Sequence, residues 1–260
     1  MFNCLHRRFW IENCKLLTEN YLFMLKTLDL NQVMVIDIET VPQYPSFQDV
    51  PPHFQELWEQ KTHYQRSSDQ SPEEFYEKAG IMAEFGKIIC ISMGIFSVQD
   101  KSCSLRIKSI FGHDEKEMLL QFSALLSKQT PTLMFCAHNG KEFDFPYICR
   151  RLLVNGIEIP VQLQLSGKKP WEINHIDTME LWKFGDYKHF TSLNLLAAIL
   201  DIPTPKDDIN GAQVRQVYYE EKNLDRIVTY CQKDVITTAQ VLLKFKGMDI
   251  IPAENITIVT

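Results

Sequence analysis

Short continuous hydrophobic runs occur at intervals along the first half of the chain. The run VMVIDI at positions 33–38 is largely β-branched, and similar runs occupy positions 87–96, 104–111 and 133–137. Runs of this length and composition are typical of strands that are buried within a sheet. The pattern therefore predicts four strands, with the first one central.

Apolar residues with helical spacing follow the third and fourth runs. One stripe lies within positions 114–128, and further helices are predicted at about 145–154, 193–200 and 224–245. Three strands, a helix, a fourth strand and then mostly helices indicate an α/β fold, with a mixed sheet flanked by helices in a single domain.

The first predicted strand and the last predicted helix suggest the limits of this domain. We expect an N-terminal extension at residues 1–30, the domain itself at 31–247 and a C-terminal tail at 248–260. The polar segment 43–80 contains helix signals, including a Ser-Pro-Glu-Glu start, and is predicted to be a helical insertion.

Composition narrows the class of protein. The chain is 45% hydrophobic and 23% charged, which suits a folded core, and it has no apolar stretch long enough to span a membrane. A net charge of −6 disfavours a protein that coats nucleic acid but allows an enzyme with clustered carboxylates. Seven scattered cysteines without a CxxC pair favour reduced thiols and a cytoplasmic location.

Two acids end the first strand. Asp37 and Glu39 are two residues apart, so a strand would direct both side chains to one face of the sheet. A carboxylate that faces inward from such an apolar run is costly unless it is paired or bound to metal. The alternative is that the strand ends at Ile36 and that both acids are solvated.

Two further acids lie in distinctive surroundings. Asp144 follows the turn sequence HNGKEF and precedes a helix, a position that also suits a helix cap. Asp234 lies within the last long helix, whose neighbouring residues are largely apolar. Tyr230 precedes it by four residues and therefore shares its helical face.

Four carboxylates without a Cys/His cluster favour hard cations such as Mg²⁺ or Mn²⁺. Two ions about 4 Å apart require about four acidic ligands, and sites of this kind hydrolyse phosphodiesters. The motifs GxSxG, GxxxxGK[ST] and HExxH are absent from the sequence, so other common hydrolytic centres are not indicated.

Three segments resemble, in order, the motifs of the DEDD 3′-5′ exonucleases. Residues 37–40 (DIET) resemble the first motif, and residues 139–144 (NGKEFD) resemble the second in the form of the family-B DNA polymerase proofreading domain. Residues 230–234 (YCQKD) resemble the third motif in its tyrosine version, since position 229 carries Thr229 instead of histidine. The similarity covers about 31–245.

This resemblance is to the DEDDy subgroup of the ribonuclease-H-like superfamily, and most of all to stand-alone predicted exonucleases related to the family-B proofreading domain. It implies a 3′-5′ exonuclease that acts on single-stranded or frayed DNA and releases nucleoside 5′-monophosphates. Two Mg²⁺ or Mn²⁺ ions are implied, and Tyr230 would orient the attacking water. The implied metal ligands are Asp37, Glu39, Asp144 and Asp234.

Five further residues are predicted to contact the substrate. The resemblance places Thr40, Asn139 and Phe143 near the terminal nucleotide. Lys168 and Lys169 precede Pro170-Trp171, and a basic pair beside an aromatic residue suits a single-stranded backbone.

Weaker candidates have ordinary alternatives. Arg150 and Arg151 are weighed as phosphate contacts against plain surface charge, and the Lys206–Gly211 stretch is weighed as a substrate-side loop.

Two other functions stay open. DEDDy domains that resemble ribonuclease D share these motifs, so the same chemistry on RNA is an alternative, and nothing in the sequence reads a 2′-hydroxyl to separate the two. A non-catalytic nucleic-acid-binding module is the alternative from another class, although all four acids and Tyr230 are present.

Overall fold

The computed structural model describes residues 25–99, 102–169, 172–186, 190–204 and 209–259. Residues 1–24 of the predicted extension lie outside this part of the chain, as do Pro170-Trp171 and the Lys206–Asp208 part of the predicted substrate-side loop.

One mixed sheet organises the described residues. Strand β1 pairs with β2 in antiparallel and with β4 in parallel, and the spatial order is β5-β4-β1-β2-β3-β6. The predicted central position of the first strand is therefore confirmed, and the order agrees with a ribonuclease-H-like fold. The strands are β1 (Val33–Pro42), β2 (Gly86–Gln99), β3 (Ser102–Phe111), β4 (Met134–Ala137), β5 (Ile176–Asp177) and β6 (Ile256–Val259).

Helices flank the sheet, as the hydrophobic periodicity predicts. None of those in the described ranges has the length and apolar character needed to cross a membrane. The helices are α1 (Pro52–Thr62), α2 (Pro72–Phe75), α3 (Glu115–Leu126), α4 (Asp144–Val154), α5 (Thr178–Lys183), α6 (Leu193–Ile199), α7 (Val214–Tyr219) and α8 (Leu224–Phe245).

The first half of β1, Val33–Ile36, is apolar because both of its faces are covered. Its residues Met34 and Ile36 belong to the core that also contains Phe122 of α3. Its residues Val33 and Val35 belong to a second core, together with buried side chains of α8. The period of two along β1 therefore assigns alternate residues to two helical layers.

The segment 43–80 carries helices α1 and α2. Trp58 is fully buried against Phe75 and Phe85, and its indole nitrogen donates to the carbonyl of Pro72 at 2.8 Å. At the start of α2, Ser71 and Glu74 form the expected reciprocal cap. This segment thus has a small aromatic core of its own.

Residues near the two ends of the described chain pack on the sheet. In the segment treated as a C-terminal tail, β6 extends the sheet beside β3. The backbone N–H and C=O of Ile251 both bond the buried side chain of Gln240 at 2.8 Å. Near the other end, Leu25 and Leu30 are buried in the core beneath α8. Because these segments are short, their hydrophobic pattern alone could not reveal this packing.

A buried ion pair joins helices α3 and α4. Arg151 bonds Glu115 through two nitrogens at 2.9 and 2.6 Å and donates to the carbonyl of Ala83 at 2.9 Å. Glu115 also accepts from the backbone of Ile88 at 2.7 Å and from the side chain of Asn155 at 3.0 Å. Both interpretations of Arg151, as a phosphate contact and as plain surface charge, are therefore wrong, because its guanidinium is buried within the fold.

We predict that Arg151→Met lowers the free energy of unfolding by about 3–5 kcal/mol, because it leaves the Glu115 charge buried without its partner. Lys61→Met is the control: it breaks the exposed Lys61–Glu84 pair and should cost less than about 1 kcal/mol. Urea denaturation of both variants measures the difference. Similar small losses in both would contradict this account of the buried pair.

Candidate active site

The middle of β1 directs two carboxylates toward helix α8. Asp37 and Glu39 continue the alternate positions of β1 that carry Val33 and Val35, and those valines pack in the α8 core. The register with β2 shifts between Glu39 and Thr40, and such a bulge redirects side chains at the end of a strand. The sequence alternative, in which the strand ends at Ile36, is wrong because β1 extends to Pro42.

Helix α8 meets β1 at Asp37. The thiol of Cys231 donates to Oδ2 of Asp37 at 3.1 Å and lies 3.4 Å from its backbone oxygen. Cys231 is fully buried, whereas Asp37 is partly exposed. The contact places the neighbouring turn of α8, with Tyr230 and Asp234, beside the middle of β1.

Asp144 joins helix α4 to the same point of β1. Its Oδ1 accepts a hydrogen bond from the backbone N–H of Ile38 at 3.1 Å, and its side chain is buried. Asp144 is the first residue of α4, and its carboxylate does not serve as the cap expected from sequence alone. Ile38 lies between Asp37 and Glu39, so this single bond brings Asp144 to the pair of acids.

The three elements create a crowded group of negative charges. Burial raises the pKa of Asp37 well above its usual range, and the charges of Asp234, Glu39 and Asp144 raise it further. Burial, followed by the charge of Asp234, also raises the pKa of Glu39. Burial raises the pKa of Asp144 to about 7, although the hydrogen bond from Ile38 opposes this shift.

Tyr230 adds a neutral hydroxyl to the group. Burial raises the pKa of its phenol well above the ordinary value, and the charges of Asp234, Glu39 and Asp37 act in the same direction. A hydrogen bond between the side chains of Tyr230 and Asp234 contributes as well. Tyr230 and Asp234 therefore share a helical face that is directed at the acids of β1.

The donor chemistry of this group fits divalent cations. Candidate ligand atoms of Asp37, Glu39 and Cys231 lie within 4.8 Å of one another. Carboxylate oxygens are the preferred ligands of Mg²⁺ and Mn²⁺, and a cation would offset the repulsion that raises these pKa values. The Cys231 thiol is the one group in this set that the sequence analysis did not consider.

The predicted contacts to the terminal nucleotide lie on β1 and in the turn that precedes α4. Asn139 adopts a left-handed backbone conformation with φ of 65°, and its Oδ1 is buried without a hydrogen-bond partner among the described residues. Phe143 is partly exposed, with its ring centroid 5.3 Å from that of Tyr147. Thr40 follows Glu39 and forms a side-chain hydrogen bond with Tyr147.

The predicted basic contacts lie on a separate loop. Lys168 and Lys169 are both exposed, and the backbone N–H of Lys169 donates to Glu172 at 2.8 Å. Their contact with a nucleic acid stays a prediction.

Sequence reasoning missed Asp177, a buried acid at the end of β5. Its carboxylate accepts from backbone N–H groups both at the start of α5 and in the turn that precedes Asp144. The available signal was the spacing of Asp177 and Glu180, which is typical of a helix start. That spacing predicts that Asp177 caps helix α5, but it does not predict the bonds to the backbone of Asn139 and Lys141.

Comparison with known proteins now identifies the family. A family model described as a predicted 3′-5′ exonuclease related to the exonuclease domain of PolB matches residues 81–251, more than half of the chain. The chain belongs to this family. The matched range includes Asp144, Tyr230 and Asp234, whereas Asp37 and Glu39 precede it. The predicted relation to family-B proofreading domains is thus confirmed.

Archaeal polymerases are similar to parts of the chain. The DNA polymerase of Pyrococcus glycovorans is 22% identical over 148 residues, which are 52% of this chain and 19% of the polymerase. DNA polymerase 1 of Pyrococcus abyssi is 23% identical over 185 residues, which are 64% of this chain and 23% of the polymerase. The similarity therefore spans less than a quarter of the length of either polymerase.

We predict that Asp144 makes the metal-free protein less stable as the pH rises from about 4 to about 7. The pKa of Asp144 is 3.8 ordinarily and about 7 in the folded protein, so the folded state holds more protons in this window and rising pH favours unfolding. Thermal unfolding in EDTA, compared between the wild type and Asp144→Asn, measures this contribution. The variant should lose less stability, or gain more, than the wild type as the pH rises, and an identical pH dependence of the two proteins would contradict the assignment.

Proposed function

We propose that this protein is a two-metal-ion 3′-5′ exonuclease of the tyrosine (DEDDy) type that acts on single-stranded or frayed DNA. Family membership supports 3′-5′ exonuclease activity in general. The two-metal-ion mechanism rests on the hydrogen bond from the N–H of Ile38 to Asp144, because this bond joins the acids of β1 and α4 beneath α8. The products would be nucleoside 5′-monophosphates released from a 3′ end.

Asp37, Glu39, Asp144 and Asp234 would hold two Mg²⁺ or Mn²⁺ ions. When bound, the ions would lower the pKa of an attacking water and neutralise negative charge on the phosphate. The raised pKa values of Asp37, Glu39 and Asp144 support this role, because closely spaced acids of this kind gain most from a bound cation.

Tyr230 would orient the attacking water. Its raised pKa keeps the phenol protonated at neutral pH, so it is unsuited to remove a proton from water. The Tyr230 hydroxyl can donate to the Asp234 carboxylate while its lone pairs accept a hydrogen bond from water. A positioning role for the hydroxyl is therefore the one its chemistry supports.

The 3′-terminal nucleotide would lie against Thr40, Asn139 and Phe143. The Oδ1 of Asn139, which has no hydrogen-bond partner within the described part of the chain, supports a polar contact, and the partly exposed ring of Phe143 supports stacking on a base. Lys168 and Lys169 would contact the phosphates of the strand. The free thiols among the described residues support a reducing compartment such as the cytoplasm.

DNA is the substrate that we favour, because the similar proteins of Pyrococcus are DNA polymerases. The direct test uses DNA and RNA oligonucleotides of one sequence, labelled at the 5′ end, with Mg²⁺, Mn²⁺ or EDTA. We expect the DNA to shorten one nucleotide at a time from its 3′ end when either ion is present. Faster degradation of RNA would favour an exoribonuclease, and binding without hydrolysis would favour a non-catalytic module.

We predict that Tyr230→Phe lowers turnover roughly 10- to 10³-fold, or about 1.4–4 kcal/mol, because it removes one hydrogen bond in the transition state. Asp234→Ala should have a larger effect, because it removes a proposed metal ligand. Asp225→Asn, on the exposed part of the same helix, is the matched control and should leave turnover unchanged.

Turnover on single-stranded DNA with Mg²⁺ measures all three variants. Oligonucleotide affinity in Ca²⁺ should barely differ between the wild type and Tyr230→Phe. Full activity of the Phe variant would remove Tyr230 from the proposed mechanism.

A further inference from the structure

One buried carboxylate, that of Asp177, holds two separate segments of backbone. Its Oδ1 accepts from the N–H groups of Met179 and Glu180 at 2.9 and 3.2 Å, which caps helix α5. The same oxygen accepts from Asn139 at 3.0 Å, and Oδ2 accepts from Lys141 at 3.1 Å. Helix capping alone would not require the last two bonds.

The turn that Asp177 holds has little freedom of its own. Asn139 has a φ of 65°, a region that residues other than glycine seldom occupy. A Cβ atom at Gly140 would lie 2.3 Å from the Cβ of Ala137, so the backbone passes β4 at close range. The Asp177 carboxylate therefore supports a conformation that has a local cost.

The same turn continues directly into helix α4. The carbonyl of Asn139 accepts from Phe143 at 3.0 Å, and that of Gly140 accepts from Phe145 at 2.9 Å. Asp144 lies between these two donors, and its own carboxylate is bound to β1. A shift of the turn would therefore move the first turn of α4 and with it the Asp144 side chain.

We propose that Asp177 is a positioning residue for the candidate active site, and that it acts through the backbone of residues 139–141. Through this turn it sets the position of Asp144 and the direction of the Asn139 side chain. The significance of that position for metal and substrate binding rests on the proposed function. Asp177 itself contacts backbone groups rather than the reacting atoms.

Asp177→Asn separates positioning from capping. The retained Oδ1 can still accept from Asn139 and from the start of α5, and Asn is as good a helix cap as Asp. Its amide nitrogen would face the N–H of Lys141, so two donors would oppose each other. The turn should shift while the fold survives, because His138 still contacts Thr178 and Thr191 at 2.9 and 2.8 Å.

The test compares Mn²⁺ affinity, measured by calorimetry, with turnover on single-stranded DNA. We expect Asp177→Asn to weaken Mn²⁺ binding and to lower turnover by roughly 10-fold or more, as outer partners of metal ligands do. Asp114→Asn is the matched control: Asp114 caps α3 by accepting from Glu117 at 3.1 Å, and its loss of charge should change neither quantity.

Wild-type Mn²⁺ affinity and turnover in folded Asp177→Asn would overturn the inference. If that variant does not fold, Asp177→Ser takes its place, because serine can cap α5 but cannot also hold both Asn139 and Lys141. A wild-type protein that binds Mn²⁺ without hydrolysing DNA would contradict the proposed function. A weaker Mn²⁺ affinity in the Asp177 variant would still support the positioning role.

Discussion

The bond between the Asp144 carboxylate and the backbone N–H of Ile38 is the interaction on which the candidate site depends. It joins the first turn of α4 to Ile38, the one residue that separates Asp37 from Glu39. The apolar residues of α4 pack in the same core as Met34, Ile36 and Ile38, and this bond fixes where the Asp144 carboxylate lies within that contact. The remaining acid, Asp234, arrives with α8, which packs on β1 through a fully buried interface.

This arrangement places several carboxylates close together in a buried region, where their charges lower the stability of the metal-free protein. Burial and mutual repulsion raise the pKa values of Asp37, Glu39 and Asp144, so the free energy of the metal-free fold is higher than it would be with neutral side chains there. The buried acid Glu115 differs from these residues, because its charge is paired with Arg151 through two hydrogen bonds. The contrast supports a functional reason for the acidic cluster.

Periodicity and motif spacing predicted the central strand, the flanking helices and the acids of β1, because each depends on local sequence. The bonds of Asp144 and Asp177 could not be predicted, because they join residues that are distant in sequence. Arg151 was misjudged for the same reason: its partner Glu115 lies on another helix. Edge strand β6 was not predicted, because four residues are too few to show the alternation of apolar and polar positions that is typical of a strand.

The central claim is that the acids of β1, α4 and α8 form one site for divalent cations. It is tested most directly by diffraction from crystals soaked with Mn²⁺ and a nucleoside 5′-monophosphate. The account predicts anomalous density for manganese between the carboxylates of Asp37, Glu39, Asp144 and Asp234, about 4 Å apart if two ions are bound. Well-ordered carboxylates without manganese, or with Asp37 and Asp234 more than about 8 Å apart, would contradict it.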